Sequence, residues 1–347
     1  VATALVVAVL VAAGCAELER PEGFSQAPPT SLVIGEGQVF ESGDQEQAEE
    51  AEAVDNFVPS PPADYQPQVI VAASPTPLLA GPTGSTPLAE PLAEIDAARI
   101  VDDLGGGLVV ETVGGPVLYY QSEQEPREVA GPDAELLDVG FWGGSPRAFV
   151  KVDDDEVDWI QLVSEQESEE LERQNHFQLA PGEIIVDLSA SRDIQAVAIG
   201  DDECGTLRFY GDTGTDLALP GPEDPECTFP GRPTYGAVAL SPDGEAVAYT
   251  IISYRGDGTE AATELVVREL LAEDPFFPRR RIGEDLDRIT SLSFDGNRVV
   301  YAKESGDDVS VTMLTLIGGN GRETPIALGD AEEVRSVSFA RLPLALG

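Results

Sequence analysis

Short apolar runs separated by polar turns recur along the chain beyond residue 99. The clearest instance is Leu240-Ser241-Pro242-Asp243-Gly244-Glu245-Ala246-Val247-Ala248-Tyr249. Pro242 presets φ for the first corner of a turn, Asp243 tolerates the second, and Gly244 supplies the positive φ that follows. Apolar runs flank the turn at 236–240 and 246–249, which predicts a tight hairpin of two buried strands. The pattern returns 52 residues later as Leu292-Ser293-Phe294-Asp295-Gly296-Asn297-Arg298-Val299-Val300-Tyr301.

Fainter copies precede and follow these two. Ala196-Val197-Ala198 stands 50 residues before Ala246, Ala148-Phe149-Val150 a further 48 back, and Leu108-Val109-Val110 another 40. Downstream, Ser336-Val337-Ser338-Phe339 repeats the spacing of Ser291 to Phe294. After each hairpin come an apolar strand, a polar turn and another strand. The pairs are 117–121 with 127–130, 159–163 with 170–173, 207–210 with 217–219, 265–268 with 279–282, and 311–316 with 323–328. Four strands per 40–52 residues is the signature of a β-propeller blade, so the chain reads as all-β. Five blades are complete, and a sixth has only an inner hairpin at 334–346. A ring without an open edge needs the missing strands from elsewhere, and residues 69–73 are the expected closing strand.

The Ser-Pro-Asp-Gly hairpin followed by small and aromatic residues resembles the TolB-type, WD-repeat-like propeller family, over residues 99–347. The resemblance implies a propeller fold, and with the repeat count the expectation is a rigid ring of six four-stranded blades whose loops present binding surfaces.

The rest of the chain has a different composition. Residues 2–13 are unbroken apolar and small residues, the length of a signal-peptide core and too short to span a bilayer comfortably. They lead into Leu10-Val11-Ala12-Ala13-Gly14-Cys15, which resembles the lipobox of bacterial lipoproteins and implies lipid attachment at Cys15. From 16 to 98 the chain holds 12 of its 27 prolines, 15 acids and one base, Arg20, and reads as a disordered spacer. The expected organisation is a signal segment at 1–14, a lipid-anchored disordered tether at 15–98 and a propeller at 99–347.

Charge narrows the partners. In 347 residues, 64 acids stand against 20 bases, for a net charge of −44. Such a surface repels nucleic acid and anionic headgroups, leaving basic proteins and divalent cations as expected partners, with membrane contact through the lipid alone. A monomer is expected. Loop order gathers the acids on one rim. Asp153, Asp154, Asp155, Asp201, Asp202, Asp257, Asp307 and Asp308 all fall between second and third strands. Cys204 and Cys227 fall in loops of that same rim and are the expected disulfide of an exported protein. One basic run stands out, Phe276-Phe277-Pro278-Arg279-Arg280-Arg281, with the aromatic and arginine character of interface anchors.

Catalytic chemistry is sparse in the sequence. The single histidine, His176, cannot form a metal cluster alone and reads as a surface residue at the end of an outer strand. There is no Gly-x-Ser-x-Gly elbow, Gly-rich phosphate loop or Cys-x-x-Cys, and neither a cofactor nor a metal site is expected. The expected function is a non-catalytic binding module in the cell envelope. The alternative is a glycan-processing or other hydrolytic propeller using two carboxylates in the central channel.

Overall fold

The structure, a computed structural model, describes residues 68–340 except for short stretches, the longest being 163–172, 212–228 and 271–279. The first three strands are β1 (Gln68–Ser74), β2 (Leu78–Gly81) and β3 (Gly84–Pro87). Sheet 1 follows as β4 (Ile95–Val101), β5 (Gly107–Thr112), β6 (Val117–Gln121) and β7 (Arg127–Ala130). Sheet 2 is β8 (Glu135–Trp142), β9 (Ser145–Asp153), β10 (Glu156–Gln161) and β11 (Arg173–Gln178). Sheet 3 is β12 (Ile184–Ser191), β13 (Ile194–Gly200) and β14 (Thr206–Gly211). Sheet 4 is β15 (Tyr235–Leu240), β16 (Ala246–Tyr254), β17 (Glu260–Glu269) and β18 (Arg280–Ile282). Sheet 5 is β19 (Asp287–Phe294), β20 (Arg298–Ser305), β21 (Asp308–Ile317) and β22 (Asn320–Ile326). The last strand, β23 (Glu333–Ala340), joins the first three in sheet 6, in the order β23-β1-β2-β3.

Hairpin chemistry forms these sheets locally. At the Ser241–Asp243 turn, the Gly244 amide donates to the Ser241 carbonyl at 2.8 Å, and Gly244 takes φ 72° as the turn demands. Ser241 Oγ accepts from the Ala246 amide at 2.9 Å and Asp243 Oδ1 from the Glu245 amide at 3.0 Å, so the corner is braced by its own side chains. Gly296 repeats the left-handed conformation at φ 64°.

Packing closes the ring. The first strands of sheets 1 to 5 and β23 neighbour one another in the cycle β4, β8, β12, β15, β19, β23 and back to β4. Apolar clusters fill the gaps between neighbouring sheets. Ala196, Ala198 and Phe209 of sheet 3, for example, pack on Tyr235, Val238, Leu240 and Val247 of sheet 4. Inner and second strands are buried on both faces, which is why β15 and β13 read as continuous apolar runs rather than alternating ones.

Several expectations change. β1 does close the ring: it pairs antiparallel with β23, matching Val69 to Phe339, Ile70 to Ser338 and Val71 to Val337. β2 and β3 extend the same sheet, however, and β4 begins at Ile95, so the expected tether boundary at 98 is wrong. The ring takes up the chain from Gln68. Residues 69–80 carry too many buried apolar side chains, from Val69 to Ala80, to behave as a solvated spacer. Of the inner hairpin expected at 334–346, the first strand is β23, and residues 341–346 lie outside the described residues. In sheet 2 the outer strand falls at Arg173–Gln178, later than the expected 170–173. The outer strand expected at 217–219 and the segments 1–14 and 15–67 lie outside the described residues. No helix among the described residues is long and apolar enough to cross a membrane.

Candidate functional site

Loops between second and third strands open on the same rim as the connections that lead from sheet to sheet. The Asp154 carbonyl accepts from the Ile185 amide at 2.7 Å and that of Asp155 from the Leu179 amide at 2.9 Å, tying the β9–β10 turn to the entry of sheet 3. Likewise the Cys204 carbonyl accepts from the Thr234 amide at 2.8 Å at the entry of sheet 4. By strand order the described ones among the predicted aspartates therefore lie along one rim, but they do different work. Asp153, Asp201 and Asp257 shape their own turns. Asp153 Oδ1 accepts from the Asp154 amide at 2.8 Å, and Asp201 Oδ1 from the Gly205 amide at 2.7 Å. Asp257 Oδ1 takes the amide and hydroxyl of Thr259 at 3.0 and 2.6 Å, bonds that hold its carboxyl below the usual range. Asp153, Asp154, Asp202, Asp257 and Asp308 are exposed, and Asp155 and Asp201 are half-buried. Asp307 lies outside the described residues. Lys151 sits among them, 3.4 Å from Asp154 and 3.9 Å from Glu135. Among the described residues no group of three or more His, Cys, Asp or Glu side chains could hold a metal ion.

Beneath the rim, side-chain oxygens reach across from one sheet to accept backbone amides of the next. Glu111 Oε2 on β5 takes the Leu136 amide of β8 at 2.8 Å. Asp138 Oδ2 on β8 takes the Ala190 amide of β12 at 2.9 Å and the Ser189 hydroxyl at 2.7 Å. Asp187 Oδ2 on β12 takes the Val238 amide of β15 at 2.8 Å, and Ser189 Oγ takes the Leu240 amide of the same strand at 3.0 Å. Between sheets 5 and 6 serine replaces carboxylate. Ser291 Oγ accepts from the Val337 amide at 3.1 Å and Ser293 Oγ from the Phe339 amide at 3.3 Å. Back at sheet 1, Ser336 Oγ donates to the Asp96 carbonyl at 3.0 Å and Arg335 pairs with the Asp96 carboxylate at 3.0 Å.

One guanidinium serves the carboxylate side of this belt. Arg99 Nε on β4 lies 3.6 Å from Asp138 Oδ1, both side chains 17% exposed. Burial pushes the Glu111 carboxyl up to about 7, with Glu135 and Asp96 adding to the rise and the Leu136 amide and Arg99 opposing it. Asp187 is also pushed up to about 7 by burial, with Asp138 adding, while the Val238 amide and Arg99 oppose. Asp138 is raised by burial against Arg99 and its own bonds. These residues were missed from the sequence. Their signal was a lone charge inside an apolar inner-strand run, as in Leu136-Leu137-Asp138-Val139 and Val186-Asp187-Leu188.

Other expected sites are partly in view. His176 is corrected: it is half-buried, edge-on to Trp142 and Phe149 at 5.6 and 5.5 Å, with Nε2 2.6 Å from Gln195 Oε1 of sheet 3. Burial holds its ring below the usual range. Arg280 and Arg281 belong to β18, opposite Leu265 and Glu264 of β17, on the outer strand of sheet 4. Phe276, Phe277 and Arg279 lie outside the described residues, as do Cys15 and Cys227. Cys204 Sγ lies 4.0 Å from the Phe229 carbonyl, near the chain that leads back from Cys227.

Sheets set around a closed cycle of inner strands, each joined to the next by buried apolar clusters, define a β-propeller. Among solved structures the chain is similar to the one titled "Crystal structure of Nidogen/Laminin Complex", at 10% identity over 79% of this chain and 98% of that one, with a TM-score of 0.52. Lower likenesses include the PQQ-bound aldose sugar dehydrogenase of Streptomyces coelicolor (14% identity, 69% and 84% covered, TM-score 0.45) and the WD40 repeats of RRP9 (13%, 80% and 85%, 0.42). At such identities the likeness is one of fold alone. No protein-family model and no curated protein matches the sequence.

Proposed function

We propose that the protein is an exported, envelope-anchored propeller that binds a basic protein partner on its acidic rim and performs no catalysis. The observation that carries this reading is the row of exposed carboxylates, Asp154, Asp202 and Asp308, on the second-to-third-strand loops of sheets 2, 3 and 5. Crowded like charges repel, and a basic chain laid across them relieves that repulsion and is steered towards it over about a Debye length. Calorimetry with an arginine- and lysine-rich peptide tests the rim. The triple variant Asp154→Asn, Asp202→Asn, Asp308→Asn spares the turn-forming Asp153, Asp201 and Asp257. Binding at low salt that weakens at physiological salt and is lost in the variant supports the reading, and equal binding by the variant refutes it.

The hydrolytic alternative would draw on Asp138 and Asp187, the carboxylates of neighbouring inner strands. Their oxygens are engaged in structure, since Asp187 accepts from the Leu188 and Val238 amides and Asp138 from Ser189 and Ala190. This favours a role in joining sheets. Export and anchoring rest on the apolar leader and on Cys15, so Cys15→Ser should move the protein out of the membrane fraction. The Cys204–Cys227 disulfide is part of the same proposal, and two free thiols in unreduced exported protein would remove it.

A further inference from the structure

Three consecutive seams of the ring, from sheet 1 to sheet 4, place a carboxylate between neighbouring sheets as the acceptor of a backbone amide: Glu111 for Leu136, Asp138 for Ala190, and Asp187 for Val238. The seam from sheet 5 to sheet 6 does the same work with Ser291 and Ser293. A hydroxyl keeps its charge state at every ordinary pH. A carboxylate does not, and its ionised form is the one that burial penalises.

The charges around these carboxylates do not balance. Glu111 faces Arg99 and also Glu135 and Asp96, Asp138 faces Arg99, and Asp187 faces Arg99 and Asp138. Arg99 is thus the cation that acts on all three acids, and it pairs with Asp138, while Asp96 is drawn towards Arg335 and Glu135 towards Lys151. Local opening of a seam lets water reach its carboxylate, so ionisation favours the open seam over the closed one.

We propose that the carboxylate seams joining sheets 1 to 4 form a proton-sensitive joint, closed tightest in mildly acidic surroundings and loosened as the pH rises, while the serine seam joining sheets 5 and 6 is indifferent to pH. The direction follows from linkage. A carboxyl whose closed-state proton affinity exceeds that of the open state contributes stability at low pH, and this stability is lost as the pH climbs from the ordinary carboxyl range. For Glu111 and Asp187 the loss ends at about 7. The joint lies directly under the rim proposed to bind, but it does not depend on that binding.

The net charge of −44 gives the whole molecule a pH slope of the same sign, so the test must compare sites within one protein. Val337 and Phe339 on β23 provide the reference, because serines latch both, whereas Asp187 latches Val238 on β15. Amide exchange, corrected for intrinsic rates, is measured on the full chain at pH 5.5 and 7.5. Protection of Val238, Ala190 and Leu136 should fall about tenfold more than that of Val337 and Phe339. Asp187→Ser, which copies the serine seam, should give Val238 the response of Val337. Glu111→Gln offers the same reading at Leu136 if the first variant does not fold. Equal changes at all five amides in the wild type, or an unchanged response of the latched amide in a folded variant, would overturn the proposal.

Discussion

The seams between sheets 1 and 4 and the seam between sheets 5 and 6 perform one geometric task with different atoms. In both, an inner-strand amide that its own sheet leaves unpaired must find an acceptor, because a buried unpaired N–H costs about 1–3 kcal/mol. Ser291 and Ser293 supply that acceptor with little penalty. Glu111, Asp138 and Asp187 supply a stronger one, at the expense of burying charge around Arg99. The mixed seam between sheets 3 and 4, where Asp187 and Ser189 serve two amides of β15, shows that either solution fits the same backbone. Geometry fixes the need for an acceptor, and the choice of side chain decides whether the joint responds to protons.

The largest expected effect abolishes the comparison by opening the ring. Deleting residues 16–75 removes β1 and leaves β23 without the strand that pairs it, whereas deleting 16–66 leaves every described strand intact. The longer deletion should lower Tm by more than about 10 °C relative to the shorter one, since several fully buried aliphatic side chains are lost. Coincident melting curves would mean that sheet 6 closes without β1.

Next in size is Arg99→Met, which takes the shared cation from the carboxylate seams alone. With Asp138 left uncompensated, stability should fall by about 3 kcal/mol at pH 8. The loss should shrink towards pH 5, because removing Arg99 raises the proton affinity of all three carboxyls further. Denaturant melts at the two pH values check this, and a loss independent of pH would show that Arg99 acts by packing only.

Ser291→Ala sharpens the other side of the comparison. It leaves the Val337 amide without its acceptor and should cost about 1–2 kcal/mol, by the same amount at pH 5 and pH 8. A pH-dependent loss would erase the distinction between the seams. Smallest of all, Asp202→Asn on the exposed rim should shift stability by no more than about 0.5 kcal/mol, read from the same melts, because the side chain is exposed to water.

Much of the fold was legible because hairpins are local. β6 and β7 fall where apolar strand, polar turn and strand succeed one another, and Gly244 and Gly296 adopt the positive φ that their turns require. The acids gathered on one rim were legible for the same reason, since strand order alone decides which end of a sheet a loop occupies. Which of those acids brace their own turns was not, because Asp153, which accepts the amide of its own turn, has the same sequence signature as Asp154 beside it.

The sequence by itself determined the repeating strand unit, its turns and the acidic surface, all set by neighbours along the chain or by composition, and it pointed to residues 69–73 as the closing strand because the last unit lacked partners. Only the tertiary structure decided where the propeller begins, because β2 and β3 are short, Gly- and Pro-bearing strands that become strands by pairing beside β1. It alone placed His176 between rings of Trp142 and Phe149, and brought Arg99 beside Asp138 across 39 residues of chain. Such contacts join strands of different sheets, and their energy depends on burial and on distances that no local pattern encodes.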